Sequence, residues 1–154
     1  MAARSIEEVT LISIHPEFVE KIFNGTKRVE FRKKYPGCAK ICVVYATDPV
    51  QRIVGLFKVD AVHVDTPKTI WKRFMSVGGI DFARYSEYYS RHEKAVAIEI
   101  KSVLRFKKSV RIDFISKNTH PPQSYMYLNE SARSKMDEIL NNRDMSFEKM
   151  IASC

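Results

Sequence analysis

Cysteine, glycine and long apolar runs are the scarce features of this 154-residue chain, and each shortage closes off a class of protein. The three cysteines, Cys38, Cys42 and Cys154, are an odd number, and the first two are separated by three residues instead of the two of a CxxC redox pair. Neither a disulfide framework nor thioredoxin-type chemistry is expected. The four histidines, His15, His63, His92 and His120, are scattered, with no pairing at i, i+4 and none beside a cysteine, so no metal centre is expected. The five glycines form no Gly-rich phosphate loop, and no cofactor is expected. The longest apolar stretch, Ile41 to Ala46, falls far short of the ~18 to 20 residues that span a bilayer, and no apolar signal region opens the chain. The reading is a cytoplasmic protein with no membrane partner.

What is present is the balance of a soluble globular domain: 45% hydrophobic and 29% charged residues. The length suits one domain of the usual ~100 to 200 residues, read here as residues 1–142 followed by a flexible C-terminal tail over 143–154. Lysine plus arginine outnumber aspartate plus glutamate by 26 to 18, and the net charge of +8 attracts polyanions. RNA or a nucleotide-like ligand is the leading partner, with DNA and a protein partner as the other classes. Net charge speaks to association rather than to a site, so position along the chain has to localise the ligand.

Val9 to Ile14 reads as a strand. His15-Pro16 then opens a short amphipathic helix to Asn24, with Phe18, Val19, Ile22 and Phe23 at helical spacing, Pro16 at the first position and Gly25 as its left-handed stop. From Lys27 to Lys33, Val29 and Phe31 alternate with Arg28, Glu30 and Arg32, predicting a half-buried strand with one core face and one charged face. Ile41 to Ala46 is apolar on both faces and is expected to be central. A long strand over Arg52 to Val64 holds Gly55 and changes its alternation phase near Ala61 and Val62, as bulged strands do. Thr66 and Asp81 cap two short aromatic helices, with Trp71, Phe74, Phe82 and Tyr85 assigned to packing. Ala95 to Ile100 returns to strand, and a basic turn at Lys107-Lys108 predicts a hairpin leading into Val110, Ile112 and Phe114. Tyr125 to Leu128 reads as a last short strand before a helix capped by Asn129. The fold class is α+β: a small mixed β-barrel flanked by short helices.

The run Gly25-Thr26-Lys27-Arg28-Val29-Glu30-Phe31-Arg32, set after a helix that begins His15-Pro16, resembles the G-x-K-x-x-E-x-R signature of ASCH domains, which belong to the PUA-like superfamily of RNA-binding barrels. Val43-Val44-Tyr45-Ala46-Thr47, Ile53-Val54-Gly55, Ala95 to Ile100 and Pro121-Pro122-Gln123-Ser124-Tyr125 extend the likeness over roughly residues 9 to 128. The resemblance implies a PUA-like barrel, a cleft lined by the signature Lys, Glu and Arg, and a role in RNA metabolism or regulation.

The side chains themselves suit a nucleotide. Strand alternation puts Arg28, Glu30 and Arg32 on one side, with Lys27 where the turn releases the chain. Cations grip phosphate, while Glu30 can accept from a base amino group or ribose hydroxyl, or hold Arg32 in place. The ordinary alternative is a surface ion pair worth at most ~1 kcal/mol. The candidate ligand-binding set is His15, Lys27, Glu30, Arg32, Tyr45 and Thr47, with His15 serving either as helix cap or as a cleft group. Some ASCH-like proteins cleave acetylcytidine with a Thr three residues after the Lys. Here that position is Glu30, so a lysine-activated hydroxyl is not available in that arrangement. The enzymatic alternative is a hydrolase acting on RNA or a modified nucleoside, with Glu30 as general base and Lys27 or His15 stabilising developing charge.

Overall fold

A computed structural model describes residues 9–115, 117 and 119–140. The tail expected over 143–154 lies outside the described residues. In chain order the elements are β1 (Val9–Ile14), α1 (Pro16–Phe23), β2 (Val29–Arg32), β3 (Ile41–Ala46), β4 (Arg52–Asp65), α2 (Pro67–Phe74), α3 (Phe82–Tyr88), β5 (Ala95–Val110), a 3₁₀ turn (Ile112–Phe114), β6 (Tyr125–Tyr127) and α4 (Glu130–Leu140).

The six strands form one sheet in the order β2-β5-β4-β3-β1-β6. Only β1 and β3 run parallel, and the crossover between them carries α1 and β2. Every residue of β3 is buried, as its two-sided apolar pattern requires of an internal strand. Register shifts in the β4–β5 pairing at Ile53/Gly55, Lys58/Val59 and Val59/Ala61 curl the long ribbon, so the sheet bends into a half-barrel instead of lying flat. Gly55 is required there because a Cβ would collide with the Leu104 carbonyl and lie 2.5 Å from the Phe23 ring.

Three apolar clusters divide the interior. One face of the sheet packs Leu11, Val43, Tyr45 and Leu56 against Met136 and Leu140 of α4. The opposite face packs Ile12, Val44, Phe57 and Ile98 against Val19 and Ile22 of α1. A third cluster joins Val29 and Phe31 of β2 to Ile70 and Phe74 of α2 and to Tyr85 and Tyr89.

The short helices owe their boundaries to caps. Thr66 Oγ1 accepts from the Thr69 N–H, and an Asp81 carboxylate oxygen accepts from the Arg84 N–H. Asn129 does the same for Ala132. Such caps each contribute about 1 kcal/mol, which matters most for α2 and α3, of two turns each.

Two expectations are overturned. No hairpin forms at Lys107-Lys108: β5 runs on as one strand to Val110, and its pairing with β4 shifts register between Arg105 opposite Gly55 and Val110 opposite Ile53. The segment holds no Gly, Asn, Asp or Pro to make a tight turn, and Leu104 and Phe106 keep the strand pinned by packing partly buried against the cluster under α4. Phe82, assigned to packing, is 59% exposed, whereas Phe74 and Tyr85 are buried as expected. No helix among the described residues is long and apolar enough to cross a membrane.

Candidate functional site

The charged face of β2 does not look out on water. All four residues of β2 are buried, and the adjoining Lys27 is only 3% exposed. The arrangement starts from Gly25, whose positive φ of 86° ends α1 and turns the chain so that the Lys27 N–H can donate to the Lys21 carbonyl at 2.9 Å. Strand β2 then pairs with β5, Glu30 opposite Ile98 and Arg32 opposite Val96, and alternation sends Glu30 and Arg32 to the side away from Val29 and Phe31.

Each charged group is held by a different part of the fold. The Lys27 ammonium donates to the Gly78 carbonyl and lies 5.0 Å from the Phe18 ring centre and 5.1 Å from that of Phe31. Gly79, with φ +65°, leaves room for the Lys27 stem. The Arg32 guanidinium donates to the carbonyls of Ser13 and Ser124, fastening β1 and the proline-rich loop to β2. Glu30 lies between the two cations, with Oε2 3.9 Å from Lys27 Nζ and Oε1 3.5 Å from Arg32 Nε.

These distances give Coulomb attraction, but the pairing is incomplete. Glu30 Oε2 and Arg32 Nε are buried and have no hydrogen-bond partner. Leaving a buried polar atom unmatched costs about 1 to 3 kcal/mol, so the cluster carries an unmatched acceptor and an unmatched donor at a net cost to the fold. Burial holds the Lys27 ammonium below the ordinary lysine range. Glu30 pulls it back up, while Arg32 and Lys21 press it further down.

The three side chains line a hollow of about 200 Å³ whose walls include His15, Phe18, Phe31, Tyr85 and Tyr88. His15 both caps α1, its Nδ1 accepting from the Glu17 N–H at 3.3 Å, and faces the hollow. Tyr88 is 37% exposed at the rim, with Lys33 Nζ 4.5 Å from its ring centre. Burial raises the Tyr88 hydroxyl above the ordinary tyrosine range, opposed by Arg32.

Tyr45 and Thr47 are placed elsewhere. Tyr45 points to the α4 face of the sheet, where it borders a second, polar hollow of about 420 Å³ with Arg52 and Arg111. Thr47 takes part in the β3–β4 turn, its N–H donating to the Ile14 carbonyl and its carbonyl accepting from Val50 and Gln51. The period-2 pattern that separates Glu30 from Phe31 also separates Tyr45 from Ala46, and it sends Tyr45 away from the β2 hollow. Lys33 and Lys34, just after β2, are exposed, whereas Arg105 pairs with Glu20 and Arg111 with Asp113.

Sequence reasoning did not find the main-chain carbonyls of Ser13, Gly78 and Ser124, because no side-chain pattern encodes which carbonyl a distant cation will reach. Among the described residues no group of three or more His, Cys, Asp or Glu side chains converges.

The fold and hollow together define a curled half-barrel with a sheltered, predominantly cationic recess. The ASCH domain model matches residues 12–104, and the chain belongs to the ASCH domain family. It is 30% identical over 134 residues, 82% of this chain and 88% of the relative, to the ASCH domain-containing ribonuclease of Zymomonas mobilis. The crystal structure of ASCH from Zymomonas mobilis superposes with a TM-score of 0.80 at 28% identity, covering 86% of this chain and 95% of that one. The N-terminal domain of Staphylothermus marinus McrB, at 9% identity and a TM-score of 0.52, shares the fold alone.

Proposed function

We propose that this ASCH domain binds RNA by taking one nucleotide into the Glu30–Arg32 hollow. The observation that carries the reading is the pair of unmatched buried atoms: Glu30 Oε2 can only accept and Arg32 Nε can only donate. A nucleobase edge offers a donor and an acceptor side by side, the complement of a carboxylate and a guanidinium on the wall of one hollow. The hollow, at about 200 Å³, is smaller than the roughly 300 to 1,000 Å³ of sites for drug-sized ligands, and suits a single base. The exposed Tyr88 ring supplies a stacking surface, and Lys33 and Lys34 supply phosphate contacts at the rim. The ribonuclease name of the Zymomonas relative supports RNA as the polymer.

That name also favours a second reading, RNA cleavage. Glu30 Oε2 takes the proton of a ribose 2′-hydroxyl, the 2′-oxygen attacks the adjacent phosphorus, and the 5′-oxygen departs with a proton from His15 or water, leaving a cyclic phosphate. Lys27 and Arg32 stabilise the charge that develops on the phosphoryl oxygens.

One experiment separates the readings: equilibrium binding of single-stranded RNA and of nucleoside monophosphates to wild type, Arg32→Ala and Glu30→Gln, with product analysis of the same RNA. Binding requires that Arg32→Ala lose about tenfold or more, the worth of a charge-assisted hydrogen bond. Cleavage requires that Glu30→Gln bind RNA but release no product. Affinity equal to wild type in both variants retires the hollow as the site.

A further inference from the structure

On the far side of α3 lies a larger groove, about 690 Å³, between that helix and α2. We propose that this groove is a second subsite for single-stranded RNA, stacking bases that neighbour the nucleotide held at Glu30 and Arg32. It rests on the RNA reading of that first hollow and extends it from one nucleotide to a strand path.

Its floor is aromatic. The Trp71 ring centre lies 5.2 Å from that of Phe82 and 4.8 Å from that of Tyr85, and Phe82 is 59% exposed. Burial of Tyr85 and Phe74 already fills the cluster beneath, so the exposed Phe82 ring adds little to stability and leaves a planar apolar face open to a ligand. The flank is cationic. Lys68 and Lys72, four residues apart on α2, sit on one face of the helix on either side of Trp71, and both line the groove. No carboxylate lines it among the described residues.

Charge selects the occupant. The chain carries +8 and the groove adds only cations, so the partner is anionic. Open planar rings next to paired cations are what a single strand requires, with bases on the rings and phosphates on the ammonium groups. An acidic peptide would satisfy the lysines but leave the exposed face of Phe82 without a planar partner.

Position supports the same occupant. Helix α3 is the shared wall: Tyr88 faces the first hollow, Phe82, Ser86 and Tyr89 face the groove, and Tyr85 lines both. Its 3.6-residue period thereby sets two aromatic sites back to back, and a strand with one base at Glu30 can pass over α3 beside the exposed Tyr88 to place the next bases at Trp71 and Phe82.

The test uses fluorescence anisotropy with the full chain, labelled homopolymeric RNAs of about six nucleotides, within the size range such platforms cover, and nucleoside 5′-monophosphates by competition. Phe82→Ala combined with Lys72→Ala should weaken the oligonucleotides about tenfold, the worth of one stacked base, and leave monophosphate binding at the wild-type value. Arg32→Ala should weaken both ligands. Oligonucleotide affinity unchanged in the double variant while Arg32→Ala loses it overturns the groove and spares the first hollow; a protein-binding groove would give this same result. The reverse, with the double variant impaired and Arg32→Ala normal, overturns the first hollow and the strand path built on it. No RNA binding by wild type overturns both. Circular dichroism of each variant separates loss of contact from loss of fold, and Phe82→Tyr, which keeps the ring, should restore affinity.

Discussion

Replacing Glu30 with glutamine tests the electrostatic logic of the recess most directly. The substitution keeps shape and removes one charge, leaving Lys27 and Arg32 buried together without the carboxylate between them. Breaking a buried ion pair by deleting one partner costs about 3 to 5 kcal/mol. Two features place this case near the lower end. The separations of 3.9 and 3.5 Å are long for charge-assisted hydrogen bonds, and both cations keep carbonyl partners, Gly78 for Lys27 and Ser13 and Ser124 for Arg32. About 3 kcal/mol follows, a substantial fraction of the roughly 5 to 15 kcal/mol that holds a domain together. At about 2 to 4 °C per kcal/mol for a chain of this size, thermal unfolding should move down by about 6 to 12 °C. Calorimetry and urea titration read this directly. A shift below about 2 °C would show that the three groups are solvated rather than sheltered, and the candidate site would fall with them.

Four further outcomes are expected. Lys27 should titrate below the 10.5 of an unperturbed lysine by carbon NMR of its ε-methylene, and Glu30→Gln should lower it further by removing the one group that raises it. Because the folded pKa lies below that of the unfolded chain, the unfolded state holds more protons between the two values, and stability rises with pH across that window; the increment should vanish in Lys27→Met. Gly79→Ala forces a Cβ to within 2.8 Å of Lys27 Cβ at a positive φ, and should cost about 1 to 2 kcal/mol and weaken nucleotide binding by displacing the lysine stem. Asp81→Ala removes the cap of α3 and should cost about 1 kcal/mol, seen as faster amide exchange over Phe82–Tyr88. RNA affinity should fall steeply between low and physiological salt, and a flat salt profile would leave the positive charge without a role in binding.

Most of the fold was legible because local chemistry and tertiary packing agree. Pro16 at a helix start, the caps at Thr66, Asp81 and Asn129, and the unbroken apolar run of β3 each demand one local structure, and nothing in the fold opposes them. The hairpin at Lys107-Lys108 failed for the opposite reason. Two cations look like a turn by composition, but continuation of the strand is settled by pairing with β4, a partner some 50 residues away in the chain.

The site divides along the same line. By itself the sequence determined that Lys27, Glu30 and Arg32 share a short segment and that strand alternation turns Glu30 and Arg32 to one side, since both follow from spacing and backbone geometry. Only the tertiary structure decided that this side is sheltered. Phe18 of α1, Ile80 and Tyr88 after the crossover, and the carbonyls of Gly78 and Ser124 arrive from distant parts of the chain to enclose it. Burial, and with it the open valences of Glu30 and Arg32, depends on how many distant segments exclude water from one place. That is a property of the assembled fold, and period and composition do not contain it.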